Sequence, residues 1–281
     1  MILVTGASGN VGGDLVPQLL AREQKVRILV RDSRKVESLP GAVERATGDL
    51  ARPETLAGAF AGVASLFLVS SDAGTEHVRN AVTAAQAAQV GHIVLLSSLA
   101  AEHPTTHIGK HHKACEDIIE SSGLSFTFLR PGAFMSNARQ WLHSIKCQGA
   151  VYLPHPDRRY FPIDSVDMAG VAAVALAEKG HQGKKYGMTG EYGMTAREQV
   201  ATIAEAMGKD LKVIPVTLEQ ARAEMVRGGI PPALADGVLE LFESDWDEHN
   251  PETTHSIVRQ LTGRAPSTFA AWIRRHADEF R

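Results

Sequence analysis

Cysteine is scarce in this chain, with Cys115 and Cys147 the only two. Two thiols cannot build a disulfide framework, so a reducing cytoplasm is the expected setting. No apolar run approaches membrane-spanning length. The N-terminus lacks the basic region and small-residue cleavage site of a signal peptide and reads instead as a strand. Lysine and arginine form no concentrated run and the net charge is −3, so nothing favours a nucleic-acid partner. Repeats and low-complexity segments are also missing. What remains is an ordinary globular composition over 281 residues, enough for a substantial core.

The most informative stretch comes first. Ile2-Leu3-Val4-Thr5 is an apolar run of strand length, and it breaks into Gly6-Ala7-Ser8-Gly9-Asn10-Val11-Gly12. Val11, Leu15 and Leu19 then recur at helical spacing. Glycine permits a tight strand-to-helix turn and lets backbone N–H groups approach a diphosphate with no Cβ in the way. The helix start adds partial positive charge. Many tight turns contain glycine, but a triplet directly after a strand and before a helix is the context a dinucleotide requires.

Strand and helix signals alternate through the first half. Val26-Arg27-Ile28-Leu29-Val30 reads as the second strand, 42–46 as a weak third and Leu66-Phe67-Leu68-Val69 as the fourth. Ile93-Val94-Leu95-Leu96 and Phe126-Thr127-Phe128-Leu129 follow as fifth and sixth. Pro17 predicts a bend in the first helix, and a short helix is expected after Asp32-Ser33. Pro53 and Gly62 bracket another helix, and Thr75 is placed to cap a long one running to Gln89 with Gly91 as its stop. Such alternation implies a mainly parallel sheet that binds ligands beyond the carboxyl ends of its strands. That rule selects the loop 6–12, Arg31, Ser70-Ser71, Ser97-Ser98 and Pro131-Gly132.

In the second half, Thr195-Ala196-Arg197-Glu198 and Thr217-Leu218-Glu219-Gln220 fit capping boxes, with Gly208 and Gly228 closing the helices they open. Asp164-Ser165-Val166-Asp167 starts an Ala/Val-rich helix whose carboxylates read as caps. The expected fold is α/β, a Rossmann-type doubly wound parallel sheet with a smaller, mostly helical C-terminal substrate lobe. Residues 1–133 form the first unit and 134–281 mainly the second, with 159–180 returning to the first.

Several motifs together resemble one family. They are the glycine loop, Leu29-Val30-Arg31, Gly48-Asp49-Leu50, and Leu129-Arg130-Pro131-Gly132-Ala133-Phe134-Met135-Ser136-Asn137. Pro162-Ile163-Asp164-Ser165-Val166-Asp167-Met168-Ala169 and Leu261-Thr262-Gly263-Arg264-Ala265-Pro266-Ser267-Thr268-Phe269 extend the match towards the C-terminus. As a set they resemble the NmrA-like group of atypical short-chain dehydrogenases, most of all its bacterial NAD(P)H-dependent quinone, azo-dye and triphenylmethane-dye reductases. The resemblance implies coenzyme contacts from Gly6, Ser8, Gly9, Asn10, Val11, Gly12, Arg31, Arg34, Lys35, Asp49, Leu50, Val69, Ser70, Lys113 and Pro131.

At the tip of the second strand an acidic residue favours NAD, whereas arginine accommodates the 2′-phosphate of NADP. Arg31 stands there with Arg34 and Lys35 close behind, so NADP(H) is expected over NAD(H). A register shift of one residue makes Asp32 the ribose ligand instead.

Typical members of the superfamily pair a lysine with a tyrosine four positions earlier, which passes a proton to a carbonyl oxygen. Here Lys113 matches the family lysine, and the tyrosine position is Gly109. Quinones, azo compounds and dye cations are already electrophilic, so hydride transfer to them needs stacking more than a strong acid. Lys113 is expected to bind the nicotinamide ribose, or else to pair with Asp117 one turn on. Ser97 and Ser98 are candidates to hydrogen-bond the nicotinamide or an acceptor oxygen, or simply to satisfy a strand end. Phe134, Met135 and Asn137 resemble a substrate wall, and read equally as core without the family; Trp141 and Tyr160 are further wall candidates. His103, His107, His111 and Cys115 recur every four residues, but Pro104 and Gly109 are expected to interrupt that helix, so no metal is expected. His111 or His112 is a lesser candidate proton donor.

The leading expectation is an NADPH-dependent reductase of a flat conjugated acceptor, a monomer or homodimer with no membrane partner. A non-catalytic nucleotide sensor and a redox-neutral isomerase or epimerase are the alternatives.

Overall fold

The short apolar runs become the buried strands of one sheet. A computed structural model describes residues 1–32, 36, 40–70, 74–243 and 253–281, with side chains in the last stretch from Ser256 onward. The first half contains β1 (Ile2–Val4), α1 (Asn10–Ala21), β2 (Val26–Val30), β3 (Glu44–Thr47), α2 (Leu56–Phe60), β4 (Ser65–Val69), α3 (Glu76–Ala87), β5 (His92–Leu96), α4 (His107–Ser121) and β6 (Phe126–Pro131). The second half contains α5 (Leu142–Gln148), β7 (Ala150–Leu153), β8 (Arg159–Tyr160), α6 (Ser165–Ala177), β9 (Lys184–Met188), β10 (Met194–Thr195), α7 (Ala196–Met207), β11 (Lys212–Pro215), α8 (Leu218–Arg227), α9 (Pro232–Glu243), α10 (Thr253–Thr262) and α11 (Phe269–Phe280).

Seven strands form a parallel sheet in the order β3-β2-β1-β4-β5-β6-β9. This is the expected Rossmann-type arrangement, with helices on both faces. The alternating pleat sends Val4, Ile28, Phe67 and Val94 into one core, and Leu3, Leu66, Leu68 and Ile93 into the other. From β1 the chain builds outwards through β2 and β3, then returns to β4 on the other side of β1. The carboxyl ends of β1 and β4 therefore flank the crevice where the strand order reverses. The segment 33–35 and residues 37–39, where a short helix was expected, lie outside the described residues, as does Ser71.

Several local expectations need correction. The third strand spans Glu44–Thr47, starting two residues and ending one residue later than the expected 42–46. Thr75 is the N-cap residue of α3 but its side chain makes no capping bond, and Gln89, with φ 56°, takes the left-handed turn after the helix. Gly109 does not interrupt α4, which is continuous from His107; His103 precedes it. Gly208 and Gly228 do close α7 and α8 as expected, and Gly229 (φ 92°) takes the left-handed turn after α8. The seventh strand, β9, has no counterpart among the expected strands.

A smaller cluster of apolar side chains gathers Met135, Ile145, Val151, Val200, Ile203, Phe269 and Trp272. Two short pairs, β7–β11 parallel and β8–β10 antiparallel, accompany its helices. Both capping boxes form, through Thr195 with Glu198 and Thr217 with Gln220. Asp164 caps α6 by accepting from Val166 N, and Asp167 accepts from Ser267 N. Among the described residues no helix is long and apolar enough to cross a membrane.

Candidate active site

The chain leaves β1 through Gly6, whose φ of 65° is left-handed, and closes the turn with Gly9 N donating to Gly6 O at 2.9 Å. A Cβ on Gly12 would stand 2.3 Å from Gly6 O, so only glycine allows α1 to start this close to the loop. Ser8, Gly9 and Asn10 lie at the surface, while Val11 and Gly12 are buried beneath them. Gly9 brings no side-chain cap to α1, and the first turn holds no acidic residue. The first N–H groups of the helix thus have neither an intrahelical acceptor nor a competing carboxylate. A cradle that a Cβ would fill, backed by open N–H donors, fits the diphosphate of a dinucleotide.

Across the crevice Val69 ends β4 and packs against this turn; its Cγ2 would lie 3.2 Å from a Cβ on Gly6. Thr5 stitches the two strands by donating to Phe67 O and accepting from Val69 N. Ser70 follows, half-buried. At the end of β2 Arg31 is exposed, with no ion pair among the described residues. Arg34 and Lys35 lie outside the described residues. Beyond β3, Asp49 and Leu50 are half-buried, in a turn held by Asp49 Oδ1 accepting from Ala51 N and Leu50 O accepting from Asn80 Nδ2.

The ends of β5 and β6 hold a buried polar unit. Ser97 Oγ donates to Glu116 Oε1 at 2.6 Å, and Arg130 forks onto both oxygens of Glu116 at 2.9 and 2.6 Å. Glu116 has no exposed side-chain surface. Ser98 turns away to cap the short helical turn Leu99–Ala101, accepting from Ala100 N. Lys113 is partly exposed and pairs with Asp117, whose hydrogen bond holds the ammonium pKa up. Of the two readings for that lysine, this structure contains the ion pair. Pro131 closes β6, buried.

Gly109 explains the missing tyrosine. A Cβ there would lie 2.5 Å from Ala100 O and 3.1 Å from Pro104 Cα, so α4 packs backbone against backbone. Any side chain there requires one of the two backbones to move. The neighbouring histidine supplies no cationic acid: burial, then the charge of His111, pulls His112 down to about 4, leaving its ring neutral near pH 7. Cys115, 3.7 Å from His111 Nε2, is pushed up by burial to about 11.

The candidate substrate wall divides. Phe134 packs against the large core, Met135 is buried at 2 % exposure and Trp141 packs onto the smaller apolar cluster. Asn137 is exposed. Tyr160 is half-buried on β8, its ring edge-to-face with Phe242 at 6.0 Å. A cleft of about 490 Å³ is lined in part by Met135, Pro162, Tyr192, Met194 and Phe269. The glycine-loop residues do not line it.

Sequence reasoning missed Glu116. Its signal was Arg130, a charge closing an otherwise apolar strand, which demands a buried partner.

Fold and loop together define a dinucleotide-binding α/β protein, and relatives narrow the class. The profile of a family described as NAD(P)H-binding matches residues 6–179. The chain is 32% identical to the NAD(P)H azoreductase of Xenophilus azovorans over 284 residues, covering 100% of this chain and 99% of the relative. It is 33% identical over 282 residues to the (4-alkanoyl-5-oxo-2,5-dihydrofuran-3-yl)methyl phosphate reductase of Streptomyces griseus, again covering 100% and 99%. The crystal structure of Citrobacter sp. triphenylmethane reductase complexed with NADP(H) superposes with a TM-score of 0.83 at 26% identity, covering 98% of this chain and 99% of that one. The chain belongs to the NmrA-like group of atypical short-chain dehydrogenase/reductases. It is an NAD(P)H-dependent reductase.

Proposed function

We propose that the chain prefers NADPH and passes its hydride to a flat, conjugated acceptor such as a quinone or an azo compound. The observation that carries the acceptor class is the closed position at Gly109, where a Cβ would already meet Ala100 O at 2.5 Å. With no phenol beside Lys113, the favoured acceptors are those whose electron demand is met without a strong internal acid. Relatives named for azo and triphenylmethane reduction agree with this reading.

In this reading the loop 6–12 holds the diphosphate, and Arg31 takes the 2′-phosphate through its exposed fork. Asp49 and Leu50 border the adenine, while Val69, Ser70 and Pro131 line the crevice towards the nicotinamide. Bound coenzyme supplies the hydride. Ser97, its hydroxyl hydrogen committed to Glu116, meets the ligand with lone pairs, which suits a carboxamide N–H better than a developing oxyanion. Lys113 borders the nicotinamide ribose, and Phe134, Met135, Asn137, Trp141 and Tyr160 frame the acceptor.

The test is a panel of quinones, azo dyes and simple ketones, each followed by NADPH oxidation. Turnover is expected with the first two and not with ketones. Turnover of ketones alone would overturn the acceptor class. No turnover at all, with strong discrimination between oxidised and reduced nucleotide, would favour a sensor.

A further inference from the structure

The far end of the chain reaches the loop that precedes α1. Asn10, the first residue of α1, has both ends of its side-chain amide engaged. Its Nδ2 donates to Ser136 Oγ at 3.2 Å and its Oδ1 accepts from Arg139 Nη1 at 3.1 Å. Arginine has donors only, so the oxygen must face Arg139. Arg139 is itself gripped by α11. Its Nε and Nη2 donate to the two oxygens of Glu279 at 2.7 and 2.9 Å, and Nη2 also lies 3.1 Å from His276 Nδ1. The guanidinium sits 5.3 Å above the ring of Trp272, a buried anchor of the small lobe. A second tie, Arg275 to Asp164, fastens the same helix to the start of α6.

An unrestrained asparagine at a helix start turns its oxygen onto nearby backbone N–H groups. In α1 those groups are the ones an anion needs, and no other side chain caps them. Drawing Oδ1 outwards keeps them open.

We propose that Arg139 is a positioning residue for coenzyme binding. Anchored by Glu279, it holds the Asn10 amide off the first turn of α1, which makes the C-terminal helix a structural part of the diphosphate site. The proposal rests on the reading that the loop 6–12 takes the nicotinamide nucleotide. The planar fork is essential to it, because a lysine supplies the charge without fixing two partners at once.

The experiment measures the NADPH dissociation constant of the whole chain for wild type, Arg139→Met, Arg139→Lys, Asn10→Ala and each Arg139 variant combined with Asn10→Ala. Both Arg139 variants are expected to bind NADPH about tenfold more weakly, the size of one charge-assisted hydrogen bond. The loss should fall on KM for NADPH rather than on kcat. In the Asn10→Ala background neither Arg139 variant should weaken binding further, since the group it acts through is gone. Full affinity in Arg139→Lys overturns the proposal, because charge alone then suffices. Additive losses in the combined variants also overturn it, since Arg139 then acts on the nucleotide directly. Should Arg139→Met fail to fold, the lysine variant and its Asn10→Ala combination carry the test. A wild type that binds no NADPH defeats the coenzyme reading as well, whereas a wild type that binds no better than its single Arg139 variants defeats this proposal alone.

Discussion

Arg130 and Glu116 form a two-pronged ion pair, with contacts of 2.9 and 2.6 Å, in which the carboxylate has no exposed surface. The pair joins the end of β6 to the middle of α4 and leaves Glu116 Oε1 to receive the Ser97 hydroxyl. Three elements that border the crevice are thereby tied at one buried point.

Removing one charge from that point leaves the other stranded. Glu116→Gln keeps an acceptor for Ser97 but unpairs Arg130, and should destabilise the fold by about 3–5 kcal/mol. Replacing both with methionine should cost less than either single loss. Urea unfolding of the two singles and the double measures this, and a larger loss in the double variant would contradict it.

Gly109→Ala puts a methyl where Ala100 O already stands at 2.5 Å. The expected cost is about 1–3 kcal/mol as α4 shifts off the turn beneath it. A melting temperature equal to wild type would mean the contact relaxes freely.

Acid should weaken the fold in two stages. His112 falls from 6.5 unfolded to about 4 folded, so its neutral form favours the native state above pH 6.5, and that contribution is lost as pH drops towards 4. His92, lowered by burial and then by His181, adds in the same direction. Glu279, held at about 2 against 4.5 by its hydrogen bond to Arg139, stabilises above pH 4.5 and loses that effect between 4.5 and 2. Stability measured against pH should therefore keep its upper slope in Glu279→Gln and lose part of it in His112→Gln. A single unchanged slope in both variants would contradict the assignment.

Arg31→Ala should weaken NADPH binding by at least about tenfold, as loss of a charged phosphate contact does, while leaving NADH nearly untouched. Titration of each nucleotide decides it. Equal losses would refute the 2′-phosphate assignment.

What the sequence made legible was local. The glycine loop, both capping boxes and the strands of the inner sheet are written in residues a few positions apart, where φ, caps and pleat are set by near neighbours. The edge strand Lys184–Met188 escaped because two exposed lysines and a glycine occupy most of it, leaving only Met188 fully buried. Gln89 escaped because a left-handed turn at a non-glycine residue has no composition signal. Arg139 and Glu279 are 140 positions apart, so no periodicity joins them; only the docking of α11 does. Met135 reads from sequence as either wall or core, and it is buried in the smaller apolar cluster while also bordering the cleft; Trp141, expected as wall, packs against that same cluster.

The contact between α4 and the turn before it also limits what substitution can introduce. Where two stretches of main chain settle together at Gly109, a phenol cannot arrive by one substitution alone: the turn that carries Ala100 O and Pro104 Cα must first draw back from α4.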